Sequence, residues 1–316
     1  MKTPMLLKQL AVGVGLSTVL VGTAIAAPVV SFDFTQEFEW VEPISPAGVD
    51  KDPLDITSGI DDVDGYTKLS WGTGTAAGGG NQSSLVINPE AGDSQTPSGD
   101  LSSGTINVSP DVDNVSFGLG PVVVHNNFVI TGTSLDETQA EDNVILTPNL
   151  GSALPARNIV FGVNFQETNN SLLDPADPAN AGADPGDLCP EGVAYNSFGC
   201  GDIFALSGGL LGVETILNGS IPGFLIDSFL LGEYIYDVYI TALGMGVLSD
   251  TACAAVGSAS GCIGFTTFEN QVNAFALAFG IVAREAPIPE PATLALLAGS
   301  LLLMGVVRRR KVTLSA

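Results

Sequence analysis

Positive charge is what this sequence most lacks. Its 316 residues carry 10 Lys and Arg against 34 Asp and Glu, a formal net charge of −24. Six of those cations stand near the two ends, as Lys2, Lys8, Arg308, Arg309, Arg310 and Lys311, whereas only Glu290 among the acids lies there. The stretch 27–286 therefore holds 33 acids against 4 bases, namely Lys51, Lys68, Arg157 and Arg284. A surface of that sign repels phosphate backbones and anionic lipid headgroups, which excludes nucleic-acid binding, and it favours solubility, cations and basic partners.

Imidazole is nearly missing too. His125 is the single histidine, so a Ser-His-Asp triad would have to recruit Ser116, Ser134, Asp111 or Asp136 on sequence proximity alone. No Gly-x-Ser-x-Gly elbow is present. One histidine and no Cys-x-x-Cys pair leave no zinc ligand set. Trp40 and Trp71 are the only tryptophans, so no aromatic cluster supports reading a carboxylate pair as a glycosidase centre. These absences point away from an enzyme. His125 and Asn127, two apart, share one side of an expected strand, where a structural role bonding the loop that begins at Thr131 is expected of them.

What the sequence does contain is clearest at its ends. Lys2 and Lys8 precede an apolar run over 10–21, and Ala24-Ile25-Ala26 supplies the Ala-x-Ala spacing of a secretory signal peptide over 1–26, cut by signal peptidase after Ala26. The other end reads Pro289-Glu290-Pro291, an uncharged apolar segment 292–307, and then Arg308-Arg309-Arg310-Lys311. As a helix that segment spans about 24 Å, at the lower limit for a bilayer core. The basic cluster would hold its far end on the cytoplasmic side. Hydropathy alone leaves open whether such a span is a permanent anchor or is removed.

Between the ends, period-2 alternation dominates. Over 158–167, Ile159, Phe161, Val163 and Phe165 alternate with more polar residues. In 273–282, Phe275, Leu277, Phe279 and Ile281 alternate with small residues, which suggests a second packed face. Over 233–242, Tyr234, Tyr236, Val238 and Ile240 alternate with Ile235, Asp237, Tyr239 and Thr241, and the β-branched and aromatic content favours a strand. Further strands are expected at 29–35, 67–71, 84–88, 105–108, 122–130, 143–146, 202–206, 224–231 and 264–269. Residues 206–221 fit a short helix as well as a strand. Surface loops are expected at 42–66, 88–100 and 168–187. About a dozen short strands, 38 glycines and 19 prolines describe an all-β protein. A single β-sandwich over 27–286, with jelly-roll-like or Greek-key connections, is expected, followed by the segment 287–316 with its one transmembrane helix.

The four cysteines, Cys189, Cys200, Cys253 and Cys262, are an even number in a chain marked for export. Local pairing, Cys189 with Cys200 and Cys253 with Cys262, would contribute ~2–3 kcal/mol per bridge. Acid clusters are the best ligand candidates, because extracellular calcium is held by six to eight oxygens. Asp61, Asp62 and Asp64 precede Gly65. Asp174, Asp177, Asp184 and Asp187 form two Asp-Pro-x-Asp units. Neither follows the EF-hand spacing, and a solvated acidic loop is the plainer reading of both. Calcium is the only cofactor suggested.

The Pro289-Glu290-Pro291 triplet, apolar segment and Arg308-Arg309-Arg310-Lys311 cluster together resemble the PEP-CTERM sorting signal of bacterial envelope proteins. The resemblance implies transient retention in the inner membrane, then cleavage near the triplet by an exosortase-type transpeptidase, with delivery to the cell surface or the extracellular polysaccharide matrix. A second resemblance runs through the body of the chain. Leu69-Ser70-Trp71-Gly72, Gln82-Ser83-Ser84-Leu85, Val124-His125-Asn126-Asn127, Cys189-Pro190, Cys200-Gly201-Asp202-Ile203-Phe204 and Phe265-Thr266-Thr267-Phe268-Glu269 look like the THxN family of PEP-CTERM proteins. Val124 stands where the family name calls for Thr, while His125 and Asn127 fit. The family implies an all-β fold and no reaction. The expectation is a structural or interaction protein, or alternatively a calcium-dependent carbohydrate-binding module of the polysaccharide matrix.

Overall fold

A computed structural model of the chain describes residues 27–53, 60, 65–168, 189, 191–193, 195–196, 198–207 and 214–287. The first strands are β1 (Ser31–Ser45), β2 (Asp50–Pro53), β3 (Tyr66–Trp71), β4 (Thr73–Gly74), β5 (Ser83–Ile87), β6 (Pro89–Glu90) and β7 (Asp93–Pro97). There follow β8 (Leu101–Ser109), β9 (Phe117–Asn127), β10 (Ile130–Thr131), β11 (Glu137–Pro148), β12 (Arg157–Gln166), β13 (Tyr195–Asn196) and β14 (Gly199–Cys200). The last are β15 (Asp202–Ser207), β16 (Glu214–Leu217), β17 (Ile221–Leu231), β18 (Tyr234–Leu243), β19 (Gly246–Val247), β20 (Ile263–Thr267) and β21 (Gln271–Glu285). Among the described residues one α-helix, α1 (Asp250–Ala255), interrupts them. The chain is all-β, as the alternation predicts.

Fifteen strands share one sheet, ordered β16-β17-β18-β21-β9-β5-β3-β1-β11-β12-β15-β20-β19, with β2 beside β3. Strand β8 pairs antiparallel with β1, from Ser31↔Asn107 to Glu37↔Leu101, and parallel with β21 at Ile281↔Val108. It thereby bridges two strands that lie four places apart along the sheet. Side chains from the two arms meet in the interior. Phe32 packs edge-on against Tyr236, Trp71 against Phe165, and His125 against Phe204.

The periodicity of the strands explains which faces are buried. Ile159, Phe161, Val163 and Phe165 are buried, as are Leu277, Phe279 and Ile281. Ala278 and Val282 on the opposite side of β21 are buried as well, so that strand has the two packed faces its small residues suggest. A cavity of about 30 Å³ remains in the core, lined by Phe38, Trp40, Phe161, Phe204, Phe265 and Leu277 among others. That is room for about one water molecule, too little for a small-molecule ligand at that place.

Two expectations need correction, and one open alternative is resolved. The stretch 42–66 is not one exposed loop: β1 runs on to Ser45, β2 pairs with β3, and Ile44 and Val49 are buried. The stretch 88–100 contains the hairpin of β6 and β7, whose Asp93 carboxylate accepts from Gln95 N at 2.9 Å and Thr96 Oγ1 at 2.8 Å. Within 206–221 the described residues Glu214–Leu217 are a strand paired with β17. Among the described residues no helix is long and apolar enough to cross a membrane. The segments 1–26 and 292–307, and the residues Pro289, Glu290, Pro291, Arg308, Arg309 and Arg310, lie outside the described residues.

Both disulfides form as the spacing suggests. Cys189 joins Cys200, and Cys253 joins Cys262. The second ties α1 to the start of β20. Ser249 caps that helix by accepting from Ala252 N at 3.1 Å.

Candidate metal centre

His125 and Asn127 lie at the end of β9, and alternation turns both side chains inward. Both are fully buried. Their shared partner is Thr267, the last residue of β20, rather than the loop that begins at Thr131. His125 Nδ1 lies 3.1 Å from Thr267 Oγ1, and Asn127 Nδ2 donates to the same oxygen at 3.3 Å. The hydroxyl can accept from the amide and donate to the imidazole, which suits a neutral ring. Burial among Trp71, Phe165 and Phe204 pushes the imidazole pKa down to about 3. The lone histidine is therefore a neutral, enclosed hydrogen-bonding residue.

Asn127 also donates to Glu269 Oε1 at 3.2 Å, and this bond opens onto a group of acids that spacing alone does not reveal. Glu167 follows the last residue of β12, Asp202 begins β15, and Glu269 lies in the turn between β20 and β21. Antiparallel pairing of β12 with β15, and of β15 with β20, brings these three sequence-distant positions to one end of the sheet. One oxygen from each carboxyl lies within 4.8 Å of the others. Trp71 Nε1 lies 3.4 Å from Glu167 Oε2, and Thr168 N donates to Asp202 Oδ1 at 2.9 Å. Asn196 Nδ2 fixes the backbone of the turn, donating to the Glu269 carbonyl at 2.7 Å.

The electrostatics of the group follow from burial and like charge. Burial, then the neighbouring Glu167 charge, push the Glu269 carboxyl up to about 8, against a smaller opposing pull from the Asn127 amide. Burial raises Asp202 well above the usual carboxylate range, and the charges of Glu167 and Glu269 add to it. Asp202 Oδ2 and Glu269 Oε2 are buried and have no donor. Three carboxylates this close, with burial removing water's screening, call for protons or for a cation.

A second group lies on the outward row of β1. Glu37, Glu39 and Asp100 also bring one oxygen each within 4.8 Å, and all three are buried. Ile60 N donates to Glu37 Oε2 at 2.6 Å, Phe38 N donates to the Asp100 carbonyl at 3.2 Å, and Gly65 packs so tightly on Glu39 that a Cβ has no room there. Glu141 of β11 stands directly across from Glu39 and accepts from Asn143 and Asn158.

The acids expected to bind calcium are not those brought together here. Asp61, Asp62, Asp64, Asp174, Asp177, Asp184 and Asp187 lie outside the described residues. The observed groups draw on acids in β1 and β15 and at the ends of β8, β12 and β20, where no local run of Asp could signal them. The blocks around Trp71, His125, Asp202 and Thr267-Phe268-Glu269, by contrast, converge on one site.

No family model matches the chain, and no curated protein matches it significantly.

Proposed function

We propose that this chain is an exported structural or interaction protein of the bacterial cell surface or extracellular matrix, sorted by a PEP-CTERM signal and processed by an exosortase. Its body is a β-sandwich of jelly-roll-like or Greek-key type. The observation that carries this reading is the linear order of signal peptide, acidic body, Pro289-Glu290-Pro291, apolar segment 292–307 and basic cluster Arg308-Arg309-Arg310-Lys311. Two disulfides within the body suit an oxidising compartment. What supports a non-catalytic reading is that the one imidazole is enclosed by aromatic rings and engaged with Thr267.

Intact-mass measurement on the mature protein from its host tests the proposal. A chain beginning at Ala27 and ending near Pro289, four hydrogens lighter than the reduced form, is the expected result. A mass that retains 292–311 overturns processing and leaves a permanent single-span anchor.

The alternative, a calcium-dependent carbohydrate-binding module, draws support from the two carboxylate groups. Glycan-array binding that disappears on adding chelator would select it over the structural role.

A further inference from the structure

We propose that Glu167, Asp202 and Glu269 form a binding site for one divalent cation, calcium by the chemistry of its donors, which ties the ends of β12, β15 and β20 together. The inference does not depend on how the chain is sorted.

Three observations carry it. The carboxyl oxygens converge within 4.8 Å, the spacing of ligands around a common ion. Asp202 and Glu269 are both 0% exposed, and each keeps one oxygen, Oδ2 and Oε2, to which no neighbour donates unless one of the two carboxyls is protonated towards the other. Asn127 supplies an independent signal. It is not an acid, it is 0% exposed, its Nδ2 lies 3.2 Å from Glu269 Oε1, and its Oδ1 is likewise without a partner. Buried polar oxygens are nearly always satisfied, and four side chains that share one cluster leave three such oxygens here.

Protein cations do not fill the role among the described residues. Lys51 pairs with Glu42, Lys68 with Asp52, Arg157 with Asp227 and Arg284 with Asp237. The donor set selects the class of ion. Carboxylate oxygens with no sulfur, and an imidazole turned to Thr267, suit a hard cation rather than zinc or copper. Calcium accepts irregular oxygen cages, whereas magnesium demands octahedral geometry and retains water, which a buried site of this kind discourages.

The test uses the mature protein purified from its host, stripped with chelator and titrated with calcium chloride or magnesium chloride. Calcium at about 100 times its Kd is expected to raise the melting temperature by roughly 5–10 °C, with magnesium giving a smaller shift. Asp202→Asn with Glu269→Gln is expected to abolish the calcium response. A response that survives the double substitution places the ion elsewhere and overturns the proposal, as does a stripped protein indifferent to calcium. Terbium gives a readout that does not require the variant to fold. Trp71 Nε1 lies 3.4 Å from Glu167 Oε2, so indole excitation of the unaltered protein is expected to sensitise terbium emission that calcium competes away. Absence of calcium-displaceable emission would count against the site equally.

Discussion

Asp142 is the residue whose surroundings most contradict its chemistry. It projects from β11 into the core with full burial, and Gln36 Nε2 donates to both its oxygens, at 2.9 and 3.1 Å. Desolvation outweighs that amide and lifts its pKa to about 8. The folded value lies above the unfolded one, so its contribution to stability is complete below about pH 4 and is lost as pH rises towards 8. By linkage the loss reaches ~6 kcal/mol as an upper bound. Asp142→Asn is expected to flatten the fall in stability between pH 5 and pH 8, measured by urea unfolding. An unchanged slope would remove Asp142 as its source. His125 acts in the opposite sense. Its folded pKa of about 3 lies below the unfolded value, so its contribution is complete above about pH 6.5 and is lost as pH falls towards 3. His125→Phe preserves most of the ring's volume but removes the imidazole from the Thr267 hydroxyl, which keeps only the Asn127 amide. A loss of about 1–3 kcal/mol is expected in denaturant unfolding, and a variant of equal stability would show that the hydrogen bond contributes nothing net.

Single elements show where the sequence was readable. The strands at 158–167, 233–242 and 273–282 are found within a few residues, because each buries a row of large apolar side chains at period two. Strand β1 was expected to stop at Thr35 and continues to Ser45. Its inward row runs Phe32, Phe34, Gln36, Phe38, Trp40, and the polar Gln36 breaks the pattern only until its partner Asp142 is known. Glu37 and Glu39 on the other row are buried, although acids at alternate positions ordinarily mark a solvated face. Helix α1 was missed because six residues are too few for a 3.6 period to show. Its signature was Ser249 followed by Asp250, a cap and a first-turn acid. Ser249→Ala is expected to cost about 0.5–2 kcal/mol, and thermal unfolding monitored beside a Cys253→Ala, Cys262→Ala variant would separate the cap from the cross-link. The Glu167, Asp202 and Glu269 group was invisible for a different reason: strand pairing creates it, and no two of its members are neighbours in sequence.

At the scale of the whole molecule, one sign of charge dominates. A formal charge of −24 is spread over a protein whose four described cations already sit beside carboxylates. Repulsion among the remaining acids disfavours the compact state, and salt shortens its reach to about 8 Å at 0.15 M. The melting temperature is expected to rise between 10 and 150 mM sodium chloride, and a flat or falling dependence in scanning calorimetry would show that the acids are already locally compensated. Closure by β8 has a further consequence. Ser31 at the start of the body pairs with Asn107, Ile281 near its end pairs with Val108, and Val29 N donates to Tyr236 OH at 2.7 Å. The backbone therefore enters and leaves at the same corner. The departing strand β21 is laced lengthwise to β18 on one edge and β9 on the other. A tug on the chain beyond Glu285, directed along that strand, loads both ladders in shear. Their bonds must slide together instead of opening one by one, and the body resists being drawn out by its own tail.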